Sequence, residues 1–185
     1  MRIISGKYKG KLLNGFDIDG TRPTMDRVKE SLFGIIQNYL KNSTILDLFA
    51  GSGSLGIEAI SNGSKKAYFV DKNKKLIDII KNNTKDMEEE IFILKNDYID
   101  ALKYFYDNDI KFDIIFLDPP YKLNLINHSI ELIEKYHLLN NNGLIICEYE
   151  QEIFNCNYKL IKEKKYGSKN IKIYINRYNC NELLF

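Results

Sequence analysis

The chain has 185 residues, a formal net charge of +2, a hydrophobic share of 44% and a charged share of 28%. These values are ordinary for a soluble globular protein with one sizeable core. No apolar stretch approaches the roughly 20 residues that span a bilayer, and the start, MRIISGKYKGK, lacks the apolar core of a signal peptide. The expected location is therefore the cytoplasm, with no membrane partner.

RIISGKYKGKLL reads as two short strands around a glycine-containing turn. In MDRVKESLFGIIQNYL, Val28, Leu32, Ile35, Ile36 and Leu40 recur near the period of an amphipathic helix, with Pro23 just before it and Thr24 placed to cap it. From residue 44 strands and helices alternate. TILDLFA, KAYFVD, IFILKND, FDIIFLDPP and GLIICEYE read as strands. SLGIEAISNG, NKKLIDIIKNNTKDMEE, YIDALKYFYDN and LINHSIELIEKYHLL read as the helices between them. YKLIKEKKYG and KNIKIYINRY close the chain as a hairpin. Such alternation predicts an α/β fold of Rossmann-like type. Its seven-stranded sheet is mostly parallel and is covered on both faces, with an antiparallel hairpin at its edge. Residues 1–40 are expected to form a small attached unit and residues 41–185 the main domain.

Charge is unevenly spread. Residues 1–11 carry Arg2, Lys7, Lys9 and Lys11 with no acid, and residues 159–172 carry six lysines against one glutamate. Two basic ends point to a polyanionic partner. Cys147, Cys156 and Cys180 form no CxxC pair, and His128 and His137 lack the spacing of a helical metal site, so neither a disulfide nor a metal is expected.

DLFAGSGSLG joins the first core strand to its helix, and Gly51, Gly53 and Gly56 fit G-x-G-x-x-G. The bland alternative is a tight turn that needs glycine for backbone reasons. The strand-turn-helix context favours a nucleoside cofactor. Asp47 narrows the choice, because a carboxylate four residues before the first glycine repels a pyrophosphate. S-adenosylmethionine instead carries an ammonium and a sulfonium. Asp47 and Asp118 suit such a cation. The Gly51, Ser52 and Gly53 backbone lies against its methionine part, Asp71 accepts from the ribose, and Asp97 with the Tyr98 N–H reads the adenine. Any one of these acids alone is as readily a helix cap. Acids ending successive strands at one rim lie where open parallel sheets bind ligands.

The segment FDIIFLDPPY sets Asp118, Pro119, Pro120 and Tyr121 at the tip of a buried strand. An exocyclic amine on a base is a poor nucleophile because its lone pair is delocalised. Two acceptors, the Asp118 carboxylate and the Pro119 carbonyl, would localise that pair. The prolines hold both in place, and Tyr121 offers a face for stacking the base. A lone DPP is more often only a stiff turn, but the apolar strand, the aromatic and the upstream glycine loop together favour amino-group methylation.

MRIISGKYKGKLL, TRPTMDRVKESLF, ILDLFAGSGSLGIEAISNG, FDIIFLDPPY and YGSKNIKIY resemble the RsmD-type methyltransferases over nearly the whole chain. The resemblance implies methylation of a guanine N2 amine in small-subunit (16S) ribosomal RNA. It also implies cofactor binding by Asp47, Gly51, Gly53, Asp71 and Asp97, and base handling by Asp118 and Tyr121. Arg22 and Thr24 would lie at the shared mouth. Ribosomal RNA, free or within a small subunit, is the expected partner of a monomeric enzyme, gripped through Arg2, Lys7, Lys9 and Lys11. The rival readings are an adenine-N6 DNA methyltransferase, a non-catalytic nucleic-acid-binding module and a dinucleotide oxidoreductase.

Overall fold

The computed structural model describes residues 1–15, 22–120, 124–150, 156–167 and 169–177, with the side chains of 22–25 excepted. Helices α1 (Arg22–Leu40), α2 (Ser54–Ser61), α3 (Lys74–Thr84), α4 (Tyr98–Asp107) and α5 (Leu125–Lys135) alternate with β1 (Thr44–Asp47), β2 (Lys66–Asp71), β3 (Glu90–Lys95), β4 (Phe112–Leu117) and β5 (Leu139–Tyr149). β6 (Lys159–Tyr166) and β7 (Lys169–Ile175) follow. One seven-stranded sheet has the order β3-β2-β1-β4-β5-β7-β6. Pairings among β1 to β5 are parallel, and β7 is antiparallel to both β5 and β6.

The strands alternate between two cores. Ile45, Phe69, Ile114, Phe116, Leu144, Ile146, Ile171 and Ile173 pack with α1, α2 and α3. Leu46, Tyr68, Ile115, Leu117, Ile145, Cys147 and Tyr174 face α4 and α5. The central strands are buried on both faces, which accounts for their continuous apolar runs. Leu40 at the end of α1 accepts from Ser43 N–H just before β1. Phe33 of α1 meets Phe116, near the carboxyl end of β4, with ring centroids 6.0 Å apart, so the helix runs back from that turn toward the carboxyl ends of the strands.

Three boundaries differ from the sequence expectation. Helix α1 begins at Arg22 and takes Pro23 and Thr24 inside it, because proline needs no N–H partner in a first helical turn. Thr24 is thus no cap. Helix α3 stops at Thr84, and the acids after it turn toward the N-terminal segment. That segment pairs as a hairpin through Ile3 N–H to Lys11 O, Gly10 N–H to Ile3 O and Leu13 N–H to Met1 O, but has a single bridge, Arg2 with Leu12. Its position is set instead by α2. Glu58 accepts the Ile4 and Ser5 N–H groups, and Ser61 O accepts Lys7 N–H. Ile3, Leu13 and α1 share the buried cluster of the sheet face they cover.

Candidate active site

The loop after β1 turns on two glycines in left-handed conformation, Gly51 (φ 56°) and Gly53 (φ 83°). A Cβ at Gly51 would meet nothing within 4 Å, so the loop backbone borders open space. Gly56 has a different reason: a Cβ there would lie 2.3 Å from Phe69 Cε1, so only glycine lets α2 rest on β2. Ser52 is buried, and its carbonyl accepts from the Asn83 amide at 3.0 Å.

Carboxylates ring this loop at the carboxyl ends of the strands. Asp71 Oδ2 accepts Gly51 N–H at 3.0 Å, and Oδ1 accepts Asn73 N–H at 2.8 Å, which fixes the acid beside the loop. Asp47 is 2% exposed and lies beneath the loop, with Oδ2 accepting Gly56 N–H at 3.0 Å. Burial pushes its carboxyl up to about 7, the Gly56 bond opposes this, and the Asp71 charge adds to it. Asp97 caps α4 through Ile99 N–H at 3.0 Å. Tyr98 sits on Phe49 with ring centroids 5.5 Å apart, and its hydroxyl meets His128 Nδ1 at 2.6 Å.

Asp118 leaves β4 next to β1, with Pro119 buried behind it. Its carboxyl is raised to about 8, chiefly by burial, with the Glu148 charge adding to the rise and Lys169 opposing it. Glu148 and Lys169 form an ion pair with side chains 12% and 29% exposed. Both were missed in the sequence. Strict alternation in GLIICEYE and KNIKIYI was the available signal, because it puts both on the same face as Asp118. Asp26, in the second turn of α1, keeps Oδ1 buried and without a partner among the described residues.

The structure brings Asp47, Gly51, Ser52, Gly53, Asp71 and Asp118 to one rim, with Asp97 and Tyr98 at the start of α4 beside it. Tyr121 and the side chains of Arg22 and Thr24 lie outside the described residues. The N-terminal lysines are not equivalent. Lys7 pairs with Glu88 at 2.8 Å and Glu89 at 3.0 Å, and Lys11 pairs with Asp86 at 3.5 Å. Arg2 and Lys9 are exposed. Among the described residues, no group of His, Cys, Asp and Glu is arranged to hold a metal ion, and no helix is long and apolar enough to cross a membrane.

Residues 1–175 match the family model described as conserved hypothetical protein 95. Ribosomal RNA small subunit methyltransferase D of Haemophilus influenzae is 38% identical over 182 residues, covering 95% of this chain and 94% of that protein. The Escherichia coli protein of that name is 30% identical over 178 residues, covering 94% and 89%. The solved structure of yhhF from Escherichia coli aligns with a TM-score of 0.82 at 27% identity, covering 96% of this chain and 98% of that one. With family, length and fold in agreement, the chain belongs to the family of ribosomal RNA small subunit methyltransferase D.

Proposed function

We propose that this methyltransferase moves a methyl group from S-adenosylmethionine to the N2 amine of a guanine in small-subunit (16S) ribosomal RNA. The observation that carries the reading is the placement of Asp118 on the strand adjoining the glycine loop. Methyl acceptor and methyl donor would then meet at one strand end.

The residues fit the donor. Open space in front of Gly51 accommodates its methionine part against bare backbone. Burial is the main cause that raises the Asp47 and Asp118 carboxyls, and a sulfonium and an ammonium beside them would favour their ionised forms. Bound there, the donor provides a methyl group already activated by positive sulfur. Gly51, Ser52 and Gly53 would hold the methionine part, Asp71 the ribose, Asp97 and Tyr98 the adenine, and Arg22 and Thr24 the mouth. Asp118 and the Pro119 carbonyl accept the two N–H bonds of the target amine, which localises its lone pair, and Tyr121 stacks on the base. The protein's contribution is orientation and proton acceptance rather than strong base catalysis. A stacked base cannot reach a strand-tip acid, so the target is a loop guanine or one flipped out of a helix. Arg2, Lys7, Lys9 and Lys11 would lie along the RNA backbone. We further propose that a cytoplasmic monomer acts on free RNA or on an assembling small subunit.

The test is nucleoside mass spectrometry of 16S ribosomal RNA from cells with and without the gene, followed by mapping of the site. Loss of one N2-methylguanosine in the deletion, restored by purified protein and S-adenosylmethionine, is expected. An unchanged nucleoside profile would defeat the reading.

A further inference from the structure

Leu117 and Cys147 are register partners on β4 and β5, and both point into the core beneath α4 and α5. One residue further along, Asp118 and Glu148 therefore turn to the opposite face at the same end of adjacent parallel strands. Strands so paired lie about 4.8 Å apart. Ile171, the partner of Glu148 on antiparallel β7, faces that same side, so Lys169 two residues earlier does too. Lys169 closes on Glu148 Oε1. The pair stands on the far side of Asp118 from β1 and its glycine loop. An ion pair that only stitched β5 to β7 could sit anywhere along the two strands. This one sits beside the acid that takes the amine.

We infer that Glu148, steadied by Lys169, is the specificity-determining acceptor for the N1–H of the target guanine, while Asp118 takes the N2 amine beside it. The inference rests on the proposed function and deepens it. Among the common bases only guanine flanks its exocyclic amine with a second donor on the pairing edge. Adenine and cytosine present a ring-nitrogen lone pair there, which a carboxylate repels. Glu148 is ion-paired with Lys169, and a carboxylate in an ion pair only accepts hydrogen bonds. Two acids side by side thus suit guanine and exclude the other amino-bearing bases without a contact to O6.

The full chain can be assayed on an RNA carrying the mapped guanine and on the same RNA with 2-aminopurine at that position. This analogue keeps the amine but lacks O6 and has a lone pair in place of N1–H, and the Gln variant separates the second change from the first. The native protein should favour guanine at least about tenfold in kcat/KM, the scale of a hydrogen bond to a charged group. Glu148→Gln should lose about tenfold or more on guanine and bring the ratio near unity, because an amide can donate to the analogue. Its melting temperature and S-adenosylmethionine affinity should stay near native. Glu148→Asp keeps the anion and should keep the guanine preference. A native ratio in the Gln variant, or an abolished ratio in the Asp variant, would overturn the inference alone. Absence of N2-methylguanosine with the native protein would take the proposed function down with it.

Discussion

Lys29 on α1 and Glu58 on α2 form an ion pair at 3.1 Å with side chains 6% and 1% exposed. The same carboxylate accepts the Ile4 and Ser5 N–H groups, and Lys29 Nζ also donates to Arg2 O at 3.3 Å. One buried acid thus ties the N-terminal segment, α1 and α2 together. Glu58→Ala would strand a buried ammonium and two backbone donors. A loss of about 3–5 kcal/mol is expected in urea unfolding. A smaller loss in a Lys29→Met, Glu58→Leu double variant would show that the stranded charge, not the missing pair, sets the cost.

Asp118→Asn should abolish turnover yet stabilise the fold. The Asp118 carboxyl rises from 3.8 to about 8 on folding. Between those values the native state holds a proton that the unfolded chain has released, so stability falls as pH rises through the window. Asparagine removes that penalty. A higher melting temperature than the native protein is expected at pH 8, and the gain should vanish near pH 4. For the native enzyme, kcat/KM for the methyl donor should climb with pH toward about 8 as the free acid ionises. A flat profile from pH 6 to 9 would count against the assignment.

Asp71→Ala should raise KM for S-adenosylmethionine about tenfold and leave kcat within a small factor, because ribose contacts act equally in ground and transition states. The variant also frees the Gly51 and Asn73 N–H groups, so part of the loss will come from a slacker loop. Calorimetric titration with S-adenosylhomocysteine separates affinity from chemistry. Unchanged affinity with a collapsed rate would displace Asp71 from the ribose.

The four basic N-terminal residues should divide into two pairs. Arg2, Lys7 and Lys9 are exposed, and Lys7 and Lys11 pair with Glu88, Glu89 and Asp86. Replacing Arg2 and Lys9 with alanine should reduce the salt slope of RNA binding by about 2. Replacing Lys7 and Lys11 should change the slope less, because their charges already face acids. Equal slopes in the two double variants would mean that RNA pulls the lysines off their acids.

Most of the sheet was legible because its cues are local. Continuous apolar runs mark buried strands, and Asn73 and Asp97 cap α3 and α4 through their own side chains. Order at the active rim followed from the parallel pattern. What escaped was tertiary. Glu58 reads as one more polar residue of a short helix until Ile4, Ser5 and Lys29 converge on it. The acid-free start of the chain reads as a basic hairpin, although the counter-charges of Lys7 sit some 80 residues further along, at Glu88 and Glu89. Glu148 sits between the buried Cys147 and Tyr149, and nothing near it in sequence names Lys169 as its partner.

Strand β6 ends the sheet, and among the described residues no strand lies beyond it. Its Leu160 and Ile161 are 44% and 38% exposed, the profile of a surface on which a second chain could polymerise. Lys159, Lys162 and Lys165 are exposed on the same strand, and the register slips between Leu160 and Lys162. Two copies meeting edge to edge would press ammonium against ammonium across a kinked backbone. Engineering those lysines away would here remove a safeguard against edge-to-edge pairing.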